Sequence, residues 1–224
     1  MSWNLKKKAE MKTEIILKEG YPYIAVSFVV FLISLLFSFS LIFQLGFFVL
    51  FLFFVYFFRN PERIPEDCSE NAIISPSDGE VLSITEGTCP ITKKETIKIS
   101  IRLSLFDVHI QRSPIKGEIA AKEYIHGQFL SLNALKASEI NEQNRVLFRN
   151  EKCDIVVNQI AGFITRRIIM FRDLGKINLA ERYGMIMFGS QVDIYLPKNT
   201  VIKLTEFQKL KAGESIIGFI NEKN

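Results

Sequence analysis

Arg182-Tyr183-Gly184-Met185-Ile186-Met187-Phe188-Gly189-Ser190-Gln191-Val192-Asp193-Ile194-Tyr195-Leu196-Pro197 reads as one continuous, mostly apolar strand with a Gly-Ser pair inside it. Glycine weakens a strand and lets another group approach the backbone closely. The serine behind it carries its hydroxyl next to the Gly189 carbonyl, where an N-to-O acyl shift can begin. That arrangement suits a self-processing bond, although Gly-Ser is also a common turn pair.

Outward from this stretch, the chain after residue 71 is a series of short β-branched runs separated by turns. They fall at 72–74, 80–85, 96–103, 107–111, 117–123, 146–149, 154–161, 164–171, 185–188, 191–196 and 201–204. Only 128–143 holds enough good helix formers to be helical, and it reads equally well as a polar loop. Ser75-Pro76-Ser77-Asp78-Gly79-Glu80-Val81 parallels Ser113-Pro114-Ile115-Lys116-Gly117-Glu118-Ile119. Leu174-Gly175-Lys176-Ile177 and Leu210-Lys211-Ala212-Gly213-Glu214 share a Gly turn ahead of an apolar strand. Repeated hairpins of this kind predict a mainly β domain over 71–224, a compact barrel-sandwich built from related halves.

The 224 residues suit one domain with appendages, and the net charge is only +4. No charged residue occurs from Gly20 to Phe58. As one helix, 23–58 would extend roughly 54 Å against a hydrocarbon core of about 30 Å. Ser38-Phe39-Ser40 and Gln44-Leu45-Gly46 offer breaks, so the run predicts a membrane hairpin over 21–58 with two short helices near 23–37 and 42–58. Lys6, Lys7, Lys8, Lys12 and Lys18 precede it in a basic segment, 1–20, and Arg59 and Arg63 follow it. Positive flanks on both sides place both ends in the cytoplasm. A cleaved signal sequence would need a shorter apolar core and a small-residue cleavage site. Residues 59–70, polar with two prolines, read as a linker. Cys68, Cys89 and Cys153 are odd in number without CxxC spacing, which indicates reduced thiols in a cytosolic domain. The scattered basic residues give little support to nucleic-acid binding.

A serine nucleophile needs a base, and the chain has only two histidines, His109 and His126. Alternation along 106–111 projects Asp107, His109 and Gln111 to one face of a strand. The orienting carboxylate is Asp78 or Asp107. Residues two apart along a strand diverge by about 7 Å, which limits Asp107, whereas Asp78 precedes Gly79 in a turn and suits an Asx-turn role as well. Arg112, Arg166 and Arg167 are the cations that could meet a substrate phosphate or carboxylate. Two histidines without a clustered carboxylate set argue against a metal site, and no Gly-rich phosphate loop opens a helix to hold pyridoxal phosphate.

Phe57-Phe58-Arg59-Asn60-Pro61-Glu62-Arg63, Ser75-Pro76-Ser77-Asp78-Gly79-Glu80, Phe106-Asp107-Val108-His109-Ile110-Gln111-Arg112-Ser113-Pro114, His126-Gly127-Gln128-Phe129-Leu130 and the Gly189-Ser190 context occur in this order. Together they closely resemble phosphatidylserine decarboxylase in its short prokaryotic form, from about residue 20 to at least 197. The resemblance implies self-cleavage between Gly189 and Ser190, giving a heterodimer of a large chain (1–189) and a small chain (190–224), with further oligomerisation left open. Ser190 would attack the Gly189 carbonyl to give an ester. β-Elimination and hydrolysis would then leave a protein-derived pyruvoyl cofactor, which forms a Schiff base with phosphatidylserine in the bilayer and releases CO2 and phosphatidylethanolamine. The resemblance places the base at His109 and favours Asp78 as the carboxylate, completing a Ser190–His109–Asp78 triad. His126 resembles the family's His-Pro-Gly turn without its proline, and it joins Arg112 as a candidate near the substrate. The family's fold is similar to biotinyl/lipoyl-type hybrid domains. A membrane-tethered biotinyl/lipoyl-like carrier or adaptor is the non-enzymatic alternative, but Ile115-Lys116-Gly117 fits its lysine hairpin poorly. A serine hydrolase would need Gly-x-Ser-x-Gly, and position 192 is Val192.

The charge pattern makes a topological prediction. Tags at Met1 and Asn224 should both resist an impermeant reagent added to intact cells, and labelling of either from outside would contradict two cytoplasmic ends.

Overall fold

The computed structural model describes residues 14–130, 137–163, 167–188 and 190–221. The chain forms two compact units, with the boundary between Glu62 and Arg63. Of the basic segment expected over 1–20, the lysines at 6, 7, 8 and 12 lie outside the described residues.

In the first unit a 3-10 turn, Lys18–Gly20, leads into α1 (Tyr21–Leu36), and α2 (Leu41–Phe57) returns beside it. Pro22 stands in the first turn of α1, where its missing N–H leaves no helical bond unmade. Tyr23 meets Phe54, Phe28 meets Phe51 and Phe31 meets Phe48, so aromatic rings zip the two helices antiparallel. Ser27 and Ser34 donate their hydroxyls to the Ile24 and Phe31 carbonyls, which satisfies them inside an apolar pair. The open end is closed by Leu17 N–H on the Phe58 carbonyl and by Asn60, which donates to Ile15 and Glu14. The rest of each helix is apolar all round, with Val26, Leu36, Leu41 and Ile42 exposed. Lys18–Leu36 is long and apolar enough to cross a membrane, whereas Leu41–Phe57 is shorter. The expected linker divides between the units: Asn60 is bonded into the hairpin, while the Glu66 N–H donates to the Glu214 carbonyl.

The second unit is antiparallel β. Its strands are β1 (Ala72–Ile74), β2 (Gly79–Thr88), β3 (Glu95–Leu103), β4 (Ile110–Arg112), β5 (Gly117–Ile125), β6 (Gln143–Arg149), β7 (Asp154–Ala161), β8 (Ile168–Met170), β9 (Gly175–Ile177), β10 (Arg182–Ile186), β11 (Ser190–Pro197), β12 (Thr200–Ile202), β13 (Lys209–Leu210) and β14 (Ile216–Ile220). They form sheets in the orders β1-β14-β12, β4-β10-β8 and β13-β2-β3-β11-β7-β6-β5-β9. In the stretch 128–143 one helical turn, α3 (Ala137–Ile140), is described and β6 begins at Gln143, while 131–136 lie outside the described residues.

The large sheet is palindromic about its β11–β7 pair, and the faint sequence repeat is the reason. Gly79 opens β2 and Gly117 opens β5, and a side chain at either would collide with a carbonyl of the neighbouring strand, Arg102 or Arg149. The register slips after Val81 in β2 and after Ile119 in β5, the same place in both hairpins. Ser75 and Ser113 each turn a hydroxyl onto the carbonyl two residues on. In the small sheets Gly218 and Gly184 likewise press against Val201 and Ile169 carbonyls. One half therefore runs continuously through β4–β10. The other is β1–β3 followed by β11–β14, and the second half is inserted between β3 and β11. The chain crosses between halves twice, between β3 and β4 and between β10 and β11.

This architecture corrects two expectations. The stretch 182–197 is not one strand: β10 belongs to a small sheet and β11 to the large one, and the chain changes sheet at the Gly-Ser pair. The strand expected over 107–111 begins only at Ile110, because Asp107 caps a turn, its carboxylate accepting from the Ser104 N–H at 2.7 Å. The inner faces of the sheets pack Ile99, Ile101, Phe148, Val157, Val192, Ile194 and Tyr183 into one core, with the Tyr183 ring edge-on to Phe148 at 5.0 Å. Burial of such side chains contributes about 1.5–3 kcal/mol each. Cys68, Cys89 and Cys153 are free thiols, and burial pushes the Cys153 thiol up to about 12.

The glycines supply a stability test. Gly79 has φ +137° and no room beside the Arg102 carbonyl, whereas Gly175 has φ +126° and open space. Backbone strain alone costs about 1–3 kcal/mol. Gly79→Ala should therefore lower the thermal midpoint of the detergent-solubilised protein more than Gly175→Ala does. Equal midpoints would contradict the close approach.

Candidate active site

Ser190 is the first residue of β11, paired with Leu103 on one side and Ala161 on the other. Strand alternation aligns it with Val192, Ile194 and Leu196, all core residues. It is fully buried, and its hydroxyl has no hydrogen-bond partner among the described residues. A buried polar group left unsatisfied costs about 1–3 kcal/mol, and such an exception needs a reason. Gly189 lies outside the described residues. Just before it, Phe188 holds φ +60°, a left-handed conformation that costs a side-chain-bearing residue about 1–2 kcal/mol. Strain and an unpaired nucleophile therefore flank the expected scissile bond.

His109 lies on the other crossover, buried between the Ser104–Asp107 turn and β4. Its carbonyl accepts the Ile186 N–H at 3.2 Å, which pins it to the strand that leads to Ser190. Its Nδ1 is 2.9 Å from the Asp107 carbonyl oxygen. That oxygen only accepts, so Nδ1 carries a proton, and in the neutral form of the ring the lone pair belongs to Nε2. A backbone carbonyl thus sets a tautomer competent to act as base.

Asp78 is brought next to His109 through the backbone. Its carboxylate accepts from the Val108 N–H at 3.3 Å, the Ala212 N–H at 2.7 Å and Arg63 Nη2 at 3.1 Å. Burial raises its pKa, against the lowering effects of Arg63 and the two N–H donors, and Asp107 adds a further rise. The sequence reading missed Arg63, taking it for linker and flanking charge. The signal available was its place at the end of the Phe57–Arg63 motif.

The substrate candidates separate. Arg112 is 3% exposed, its Nη1 donating to the Ala180 carbonyl at 3.1 Å, and a side chain at Gly213 would run into it. Ala180 and Gly213 are equivalent positions of the two halves, both with positive φ, and donate to the carbonyls of Ser113 and Ser75. Arg112 therefore stitches the halves together. His126 is exposed, its ring edge-on to Tyr124 at 5.1 Å. Arg166 lies outside the described residues. Arg167 is exposed, and its carbonyl accepts the Met187 N–H at 3.2 Å, beside the crossover. Among the described residues, no group of three or more His, Cys, Asp or Glu could hold a metal ion.

Residues 50–218 match the family model of phosphatidylserine decarboxylase. A phosphatidylserine decarboxylase proenzyme of Geotalea uraniireducens is 38% identical over 205 residues, covering 90% of this chain and 95% of its own length. One from Carboxydothermus hydrogenoformans is 44% identical over 207 residues (91% and 95%), and one from Ehrlichia canis is 39% identical over 209 (92% and 91%).

The geometry makes distinct forecasts for three variants, read as fragment formation over time on a denaturing gel. A positioned base contributes about 10²–10⁴-fold, so His109→Ala should slow cleavage by that order. Asp78→Asn should slow it too, and exposed His126→Ala should cleave like the parent. Normal cleavage in His109→Ala would remove it as the base.

Proposed function

This chain belongs to the phosphatidylserine decarboxylase family, and from that premise we propose that it is a self-processing enzyme converting phosphatidylserine to phosphatidylethanolamine and CO2. The observation that carries this reading is the Ser190 hydroxyl, buried and without a partner among the described residues, just after the left-handed Phe188 and on the strand that follows β10, to which the His109 carbonyl is bonded. A structural serine at that depth would be hydrogen-bonded.

In maturation, His109 Nε2 takes the Ser190 proton and the hydroxyl oxygen attacks the Gly189 carbonyl carbon. The peptide C–N bond breaks as the ester C–O bond forms. Loss of the Cα proton of residue 190 then expels the Gly189 carboxylate, which separates chains 1–189 and 190–224 and leaves dehydroalanine, whose C–N bond is hydrolysed by one water with release of ammonia to give the pyruvoyl carbonyl. A pyruvoyl group at residue 190 fits the orphaned hydroxyl's position, and when present it supplies the carbonyl that condenses with the substrate amine and accepts the electrons released with CO2. His109 then protonates the carbon that CO2 leaves, at a residue 190 buried between β3 and β7. Exposed Arg167 is the cation we assign to the headgroup.

The helical hairpin serves as membrane anchor, which suits a substrate that never leaves the bilayer. Its charged flanks favour a cytoplasmic catalytic unit. The paired halves support a barrel-sandwich of the biotinyl/lipoyl-type hybrid kind.

The test is release of labelled CO2 from carboxyl-labelled phosphatidylserine by the purified protein, with and without phenylhydrazine. Release should be abolished by this carbonyl reagent and absent from Ser190→Ala. Release that survives phenylhydrazine, or comes from Ser190→Ala, would overturn the proposal.

A further inference from the structure

The Phe57–Arg63 motif is not exhausted by membrane anchoring. Arg63 is the first residue of the β unit, and its side chain is only 10% exposed. Its Nη2 lies 3.1 Å from Asp78 Oδ2 and its Nη1 3.1 Å from Glu214 Oε2. Glu214 belongs to the segment that becomes the small chain, and its neighbour Ala212 donates to the other Asp78 oxygen. One guanidinium therefore spans a carboxylate beside His109 and a carboxylate beyond the cleavage point.

The internal duplication shows that the turn carrying Asp78 forms elsewhere without this assembly. Lys116 occupies in the second half the position of Asp78 in the first, ahead of the equivalent glycine, and it is exposed. The same turn thus forms without a buried carboxylate or a cation to meet it. Burying a charged pair is weak evidence of stabilisation, because desolvation offsets much of the attraction. A pair present in one half only, against the histidine's backbone, has another use.

We infer that Arg63 is a positioning residue for self-processing, holding the Asp78 carboxylate ionised and aimed at the Val108 peptide, and so fixing His109, while gripping the nascent small chain through Glu214. This rests on the reading of Asp78 as the orienting carboxylate. The charges around Asp78 are Arg63 on the incoming segment, Asp107 on the crossover and Glu214 on the C-terminal turn, where Lys211 reaches Glu214 at 3.6 Å. Asp107 disfavours ionisation and Arg63 is the cation on the carboxylate. Processing that needs ionised Asp78 rises with pH through its titration, so loss of Arg63 moves that acid limb upward.

The experiment follows fragment formation against pH in full-length Arg63→Gln, Arg63→Lys, Asp78→Asn and the Arg63→Gln/Asp78→Asn double variant. An opposing charge shifts a carboxylate by about 1–3 pH units. Arg63→Gln should slow processing at neutral pH and move the acid limb up by about one unit, and Arg63→Lys should restore most of both. The double variant should be no slower than Asp78→Asn, since both changes act through one carboxylate. A parental rate and limb in a folded Arg63→Gln chain, or slowing without a limb shift, would overturn the proposal. If Arg63→Gln does not fold, Arg63→Lys decides: a parental limb supports the proposal and a displaced one overturns it. Parental processing in Asp78→Asn would instead remove the underlying reading of Asp78.

Discussion

The structure depends on the pairing of β11 between β3 and β7. Ser190–Pro197 lies against Leu103–Thr96 on one side, and Ser190–Tyr195 lies against Ala161–Val156 on the other. In the second half, the equivalent strands β6 and β7 are joined by a short turn at 150–153. In the first half that turn is opened and the whole second half inserted, so β11 enters the sheet centre from a long excursion. A strand held by two complete ladders does not need the covalent bond that precedes it. On the proposed function, this is why a cut ahead of Ser190 would be tolerated and why the resulting small chain would stay in the core.

The same topology concentrates chemistry at one end of the large sheet's central strands. Both crossovers between halves leave the sheet where β3 ends and β11 begins, and they carry His109 and Ser190. Neither crossover can satisfy its local geometry as regular strand does, and the consequences are Phe188 in a left-handed conformation and a buried hydroxyl without a partner. A duplicated scaffold supplies rigidity on both sides of a junction that is itself strained. The asymmetric additions, Asp78 with Arg63, then specialise one half.

Much of this was legible in the sequence. The Ser75–Val81 and Ser113–Ile119 repeat announced the duplication, because both copies need a glycine at the same close approach. The charge-free run announced the hairpin, displaced by only a residue or two. The separate runs at 185–188 and 191–196 marked a break, but that β10 and β11 belong to different sheets was not legible. Nor was the start of β4, where an Asp107 cap ends an alternation that otherwise continues. Nor could charge alone distinguish a guanidinium buried on a carbonyl, as Arg112 is, from one buried on a carboxylate, as Arg63 is. That distinction belongs to tertiary packing.

The central claim is that Ser190 cuts the chain by its own chemistry and is itself converted. Intact-mass measurement of the purified protein tests it most directly. The expected result is two chains whose summed mass equals the precursor plus one water and minus one ammonia, with residue 190 no longer a serine. A single uncut chain, or two chains summing to the precursor plus one water with Ser190 intact at the new amino terminus, would contradict it.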